Sequence, residues 1–351
     1  MNFKKRKENK FSFPSELRLD LISNDWVVIA TGRAKRPEDF KKEKRTNKKV
    51  NRKNCPFCNI SSQKEPTLIF VQGKKVDFKG WKNLPKNWTV IVIPNKYPAF
   101  LPFSKLEKKT EGGLYQKMNA VGFHEVVVTR NHNQDVDEFS KEKLKEVFDV
   151  FQSRYLELMK KKFVNHIFIF HNHGPSAGAS LAHPHSQIIT TPLIDHDLRN
   201  ALIRSEEYFK KKNKCLYCQM NKWEMKVKKR IIFENERFIA VCPFASKTAF
   251  QVIISPKKHL PYFEQIREKE KMDLSEAFEV VFRKLNKALN YPDYNFYLHT
   301  APCDGQKYDY YHWHWTILPK TSTWAGFEIE ARMEISTIEP EKAAEYLRRQ
   351  K

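Results

Sequence analysis

The sequence predicts an α+β fold written twice, as two tandem halves, each an antiparallel sheet with a helix packed on one face. Three observations predict it. The same order of motifs runs through residues 1–195 and again through 196–351. Each half opens on a C-x-x-C pair, Cys55/Cys58 and Cys215/Cys218, and the pairs stand 160 residues apart. Each half also has one long segment of helical period set among runs rich in Val, Ile and aromatics.

The elements follow in order. After Cys55-Pro-Phe-Cys58 come the strand-like VIVIPNKYPAF (90–100), HEVVVTRNH (124–132), a helix, NHIFIFHNHG (165–174) and HPHSQIITTP (183–192). After Cys215-Leu-Tyr-Cys218 come FIAVCPFASKTAF (238–250), QVIISPKKH (251–259), a helix, YNFYLHTAP (294–302) and HWHWTILPK (312–320). The first helix shows Leu144, Phe148, Phe151, Tyr155 and Leu158 at i, i+3/i+4 spacing, with Ser140 as its N-cap. The second shows Leu274, Phe278, Val281, Leu285 and Leu289. An extra segment near 101–123 interrupts the first half. Two such halves join edge to edge or face to face, and the Lys-rich 210–215 reads as part of the join.

Composition sets limits. The 351 residues are 40% hydrophobic and 13% aromatic, enough for a core, and Gly is scarce at 10. No Gly-rich dinucleotide or P-loop motif occurs. No apolar run is long enough for a membrane span. The basic N-terminus lacks an apolar stretch, so no signal peptide is expected and a cytoplasmic protein is. The formal charge of +23 attracts polyanions and favours phosphate-bearing substrates. The dispersal of the lysines also suits ordinary solvated faces.

In a chain of this size, C-x-x-C pairs read as metal or redox sites rather than a disulfide framework. Zinc takes four thiolate or imidazole ligands in a tetrahedron. Each half supplies two Cys, a His ending a strand and the first His of an H-x-H. The expected ligands are Cys55, Cys58, His132 and His183, then Cys215, Cys218, His259 and His312, about two zinc ions per chain. His299 and His314 are spare candidates for the second set.

The densest polar cluster is HNHGPSAGASLAHPHSQ (171–187). In a strand, His183, His185 and Gln187 share one face, so one His can serve a metal while its neighbour faces a ligand. A neutral imidazole is a competent nucleophile toward phosphorus when its other nitrogen is fixed by a hydrogen bond. Gln187 and Ser180 are candidate donors to phosphoryl oxygens. The turn 174–178 lets backbone approach a phosphate.

These residues resemble the galactose-1-phosphate uridylyltransferase family of the histidine-triad superfamily. The resemblance spans nearly the whole chain. It is carried by RLDLISNDWVVIATGRAKRP (18–37), PNKYPAF (94–100), GASLAHPHSQ (178–187), HWHWTILPK (312–320) and GFEI (326–329). It implies ping-pong transfer of UMP between UDP-glucose and galactose 1-phosphate through a uridylyl-histidine at His185. It also implies that Ser180, Gln187 and Asn172 contact the phosphates and that Arg33 and Arg36 lie near them. Asn95 would belong to the nucleotide pocket. Glu328 would contact sugar hydroxyls beside Phe327, which stands where several relatives carry Tyr. A homodimer is implied, with the sugar site completed by the other subunit. The departure after GFEI, where this chain reads EARMEIS, falls on the sugar side. His314 takes the nucleophile's place in the second half without a following Ser-Gln, so that half reads as a degenerate copy.

Two other readings stand beside this one. A phosphorylase relative would pass the nucleotidyl group to inorganic phosphate, often from ADP-glucose, by the same chemistry at His185. A zinc-containing nucleic-acid-binding module suits the basic charge, but no recognisable nucleic-acid motif accompanies it.

Overall fold

The structure, a computed structural model, describes residues 15–30, 36–41 and 51–350. The first half contains β1 (Glu16–Leu19), β2 (Trp26–Ile29), β3 (Leu68–Val71), β4 (Lys74–Val76), β5 (Val90–Pro94), β6 (Lys108–Glu111), β7 (Tyr115–Met118) and β8 (His124–Thr129). Helix α1 (Lys141–Leu158), β9 (His166–His173) and β10 (His185–Thr191) complete it. Helices α2 (His196–Lys212) and α3 (Leu216–Val227) lead to β11 (Ile231–Glu234), β12 (Phe238–Val241), β13 (Val252–Pro256), α4 (Glu268–Leu289), β14 (Tyr294–His299) and β15 (His314–Pro319). The chain closes with α5 (Gly326–Ala331), β16 (Ile335–Ser336) and α6 (Pro340–Arg349).

Eleven strands form one sheet in the order β11-β12-β13-β15-β14-β9-β10-β8-β5-β3-β4, and every pair is antiparallel. The halves meet edge to edge through β9 and β14, where Asn172 faces Asn295 and Phe170 faces Tyr297. Outward from that seam each half repeats the same order of five strands, to which the first half adds β4 at its edge. The join is therefore a strand pair, and Lys210–Lys212 are simply the last turn of α2, where cations complement the helix dipole. The sheet runs unbroken across the expected boundary at 195/196.

Side-chain alternation gives the sheet two different faces. Val127, Ile169, Ile188, Phe296, Trp315 and Ile317 point toward α1 and α4 and share one buried core with them. All ten apolar helix positions read from the period are in that core, and Ser140 Oγ accepts the Lys143 N–H at 3.3 Å. Phe278 is the centre of an aromatic cluster, 5.1 Å from Phe148 and 5.7 Å from both Phe296 and Trp315. The opposite face is covered at one end by Cys55, Phe57, Ile60 and Trp88, and at the other by Met225 of α3. Its middle, on β10, β9 and β14, lies half-open, and a cavity of about 450 Å³ spans the seam there.

Local expectations fail at two places. β5 ends at Pro94, so 95–100 is a turn rather than strand. β10 begins at His185, so His183 lies in the preceding turn and not on the strand face. The GFEI motif, to which the sequence pattern assigns no element, opens α5. Among the described residues no helix is long and apolar enough to cross a membrane.

Removing the Phe278 ring leaves a void that its aromatic neighbours cannot fill. Phe278→Ala is expected to lower unfolding stability by about 3–5 kcal/mol. Ile203→Ala, at a half-exposed position on α2, is expected to change it by less than about 0.5 kcal/mol. Denaturant midpoints check both.

Candidate metal centres and active site

The two Cys/His groups expected from the sequence assemble. In each, the donor atoms lie within 4.8 Å of one another. In the first, Cys55 Sγ is 3.4 Å from His183 Nδ1, and Cys58 Sγ is 3.2 Å from His132 Nδ1 and 3.6 Å from His183 Nδ1. The His132 and His183 Nδ1 atoms are 3.2 Å apart. In the second, Cys218 Sγ is 3.4 Å from His259 Nδ1 and 3.8 Å from His312 Nδ1.

Zinc–sulfur bonds of about 2.3 Å and zinc–nitrogen bonds of about 2.0 Å place tetrahedral ligands about 3.5 Å apart, so these spacings fit the ion. Protonation fits too. His183 Nε2 donates to the Thr129 carbonyl at 2.7 Å, and His312 Nε2 to the Pro256 carbonyl at 2.9 Å. His259 Nε2 donates to the Asp309 carbonyl at 2.7 Å. Each bond leaves the inward Nδ1 as a lone pair, which is how backbone carbonyls orient metal-ligating imidazoles. Burial pushes His183 down to about 4, keeping it neutral. His299 and His314 do not join the second group: they stack on each other at 4.5 Å on the half-open face.

Beside the first group sits His185. Its Nδ1 donates to the His183 carbonyl at 2.8 Å, which fixes Nε2 as the unprotonated nitrogen. Burial lowers its pKa, opposed by that carbonyl, which favours the neutral ring. The Phe57 ring covers it at 5.1 Å. Behind the strand, buried His171 places Nδ1 3.1 Å from Ser186 Oγ and stacks on Phe296 at 4.9 Å.

Gln187 shares the face of His185, opposite Val126 of β8. Its Oε1 is 2.8 Å from His124 Nε2, and Ala99 N–H donates to His124 Nδ1 at 3.1 Å. His124 is therefore the donor, and both amide hydrogens of Gln187 stay available for a ligand. Asn95, whose Oδ1 accepts the Tyr97 N–H at 2.9 Å, lies beside His124, so Asn95, His124 and Gln187 line up as one polar row. That row leads into a second cavity of about 740 Å³, lined by Asn95, Phe100 and His124 with Lys64, Lys160 and Lys161 at its rim. Glu125, next to His124, is clamped from the helix side by Arg154 at 2.7 and 2.8 Å, both buried.

Asn172 lies beside this face, and Ser180 is exposed beyond the 174–178 turn. The structure does not bring the remaining expected residues here. Arg36 is exposed ahead of Phe40, which packs against Phe250 of the second half. Phe327 is exposed, and Glu328 turns back to accept the Ala325 N–H at 3.1 Å. Arg33 lies outside the described residues. Sequence reasoning missed His124, Phe57 and Asn295. An aromatic at the third place of both C-x-x-C pairs was a readable signal for Phe57, since Tyr217 sits 5.5 Å from His314 in the same way.

The second half keeps the scaffold and carries different side chains at the corresponding places. His314 is buried, and burial holds its pKa well below the ordinary imidazole value. Its Nδ1 contact to the His312 carbonyl stretches to 3.3 Å. Thr316 and Gln251 replace the Gln187/His124 pair.

The model for the N-terminal domain of galactose-1-phosphate uridyl transferase matches residues 5–195, and that for its C-terminal domain matches 202–348. The chain belongs to the galactose-1-phosphate uridylyltransferase family. Within this family it is 31% identical to an ADP-glucose phosphorylase of Arabidopsis thaliana, over 95% of this chain and 92% of that one. It is 26% identical to a galactose-1-phosphate uridylyltransferase of Thermotoga maritima, over 95% and 98%. Among solved structures, a GalT-like protein from Arabidopsis thaliana superposes with a TM-score of 0.78 at 28% identity, covering 96% of this chain and 99% of that one. An Arabidopsis ADP-glucose phosphorylase with bound ADP-glucose gives 0.76 at 28%, over 95% and 99%.

Protein purified without chelator is expected to carry about two zinc ions, four ligands each. Cys55→Ser and Cys215→Ser should each lose about one. Metal analysis checks this, and a metal-free parent chain overturns it.

Proposed function

We propose that this family member transfers a nucleotidyl group from a sugar nucleotide to a phosphate acceptor through His185. The observation that carries the reading is the 2.8 Å bond from His185 Nδ1 to the His183 carbonyl, which leaves an unprotonated Nε2 on the half-open face. Nε2 attacks the α-phosphorus of the sugar nucleotide. The nitrogen–phosphorus bond forms as the bond from that phosphorus to the bridging oxygen breaks, and hexose 1-phosphate leaves with the electron pair. An acceptor phosphate oxygen then attacks the phosphoramidate and returns the lone pair to Nε2. Gln187 and Asn172 donate to the phosphoryl oxygens, where charge builds in the transition state. The zinc ions would be structural, holding His132 and His183 and their counterparts.

UMP moving from UDP-glucose to galactose 1-phosphate is the first reading, supported by the family and by the Thermotoga relative. Phosphorolysis of ADP-glucose is the second, supported by the Arabidopsis relative at 31% identity. The hydrogen bonds of Arg36 and Glu328 are local and Phe327 is exposed, which supports a homodimer in which they serve the partner's site. A soluble cytoplasmic enzyme suits small phosphorylated substrates.

UDP-glucose labelled in its α-phosphate is expected to label the chain with no acceptor present, and the label should be acid-labile and base-stable. His185→Ala should abolish labelling and slow turnover by several orders of magnitude while metal content persists; His314→Ala should retain labelling. Release of the label by galactose 1-phosphate supports the transferase. Labelling only by ADP-glucose, discharged only by phosphate, replaces it with the phosphorylase. Labelling that survives in His185→Ala overturns both.

A further inference from the structure

The seam between the halves carries one polar pair on the half-open face. Asn172 of β9 faces Asn295 of β14, and Asn295 Nδ2 donates to Asn172 Oδ1 at 2.8 Å. The same Nδ2 donates to the Ala177 carbonyl at 2.9 Å. Both amide hydrogens of Asn295 are thus committed, one to a proposed phosphate-contacting side chain and one to the turn beside it. With its oxygen taken, Asn172 presents its own Nδ2 hydrogens to the cavity that both residues line.

A second contact from the same segment holds the turn. Asp293 accepts the Ser176 N–H at 2.8 Å. Gly174 has φ +82°, and a Cβ there would come within 2.0 Å of the Asp293 carboxylate. The turn is seated on Asp293, just ahead of β14, and on Asn295 near the start of that strand, so its shape depends on them.

The repeat shows that this pair is particular to one side. His314 faces His299, so His299 holds the place in the second half that Asn172 holds beside His185. Four residues before Asn172 stands Phe168; four before His299 stands Asn295. The pseudo-symmetric mate of the Asn172/Asn295 pair is therefore His299/Phe168, which has no amide. Scaffold symmetry alone does not require an asparagine at 295.

We infer that Asn295, from the half without a working nucleophile, is a positioning residue for nucleotidyl transfer at His185. It fixes the Asn172 amide and the 174–178 turn in the orientation that receives the phosphates. The inference rests on the proposed transfer at His185. A misplacement near 1 Å at a reacting centre can cost about a hundredfold in rate.

The test measures the single-turnover rate of protein labelling at saturating sugar nucleotide, with UDP-glucose and ADP-glucose each labelled in the α-phosphate. Asn295→Ala, and Asn295→Asp, which keeps the volume but has no amide hydrogens, are expected to slow labelling by about tenfold to a hundredfold. The unfolding midpoint and metal content should stay as in the parent. In an Asn172→Ala background, adding Asn295→Ala should cost several-fold less than it does in the parent, because one of the two groups it holds is gone and only the contact to the turn is left to lose. Should the alanine variant fail to fold, the isosteric aspartate variant carries the test. Labelling within twofold of the parent overturns the inference, as does an equal loss in both backgrounds, which marks a merely structural role. A parent chain that takes no label from either nucleotide overturns the transfer reading and this inference with it.

Discussion

His183 holds the site together. Its imidazole Nδ1 faces Cys55, Cys58 and His132, its Nε2 is tied to the Thr129 carbonyl, and its own carbonyl takes the proton on His185 Nδ1. One residue thus links a metal-type cluster, the end of β8 and the tautomer of the proposed nucleophile. An imidazole free to rotate offers either nitrogen in either tautomer. Here the rotation is stopped by a carbonyl whose position is set two residues away by four converging ligands, and Pro184 between them stiffens the link. The strand ladder begins only at His185, so the clamp lies outside the sheet and reaches it through Pro184 and through the bond from His183 to the end of β8.

The repeat makes the consequence visible, because the same scaffold occurs twice with different outcomes. The second half preserves the metal-type group, the carbonyl behind its His and the aromatic over its second imidazole. Yet His314 is buried against His299 and lacks the Gln187/His124 pair. A clamp orients an imidazole; it does not supply an open face or amide donors. What the second half contributes is an edge. β14 pairs with β9, closes the sheet's otherwise exposed middle edge and brings Asp293 and Asn295 against the turn that follows β9.

Local features were readable from the chain, and cross-strand features were not. The helix faces followed from 3.6-residue spacing because burial against a sheet needs an apolar stripe. The metal-type ligands followed from spacing repeated in two copies. The face of His183 did not, since strand alternation was extended two residues past where the ladder starts. His124 went unnoticed because its place depends on β8 pairing with β10, which brings it to Gln187, 63 positions away. Asn295 depends likewise on an antiparallel register at the seam, which period and composition do not encode. Edge-to-edge joining was one of two open choices, since each half's strands read alike in either arrangement.

The donors around His185 are mostly neutral, although the chain carries a formal charge of +23. Gln187 and Asn172 bring amides, each aimed by a neighbour that occupies its oxygen, His124 in one case and Asn295 in the other. An amide held this way costs less to desolvate than a buried cation, and its dipole is oriented before any phosphate arrives. The lysines act differently. At physiological ionic strength a surface charge is screened beyond about 8 Å, so dispersed lysines raise the local concentration of anions without selecting among them. For the proposed transfer, charge would raise the concentration of phosphates around the molecule, and the two oriented amides would select the phosphate geometry held at Nε2.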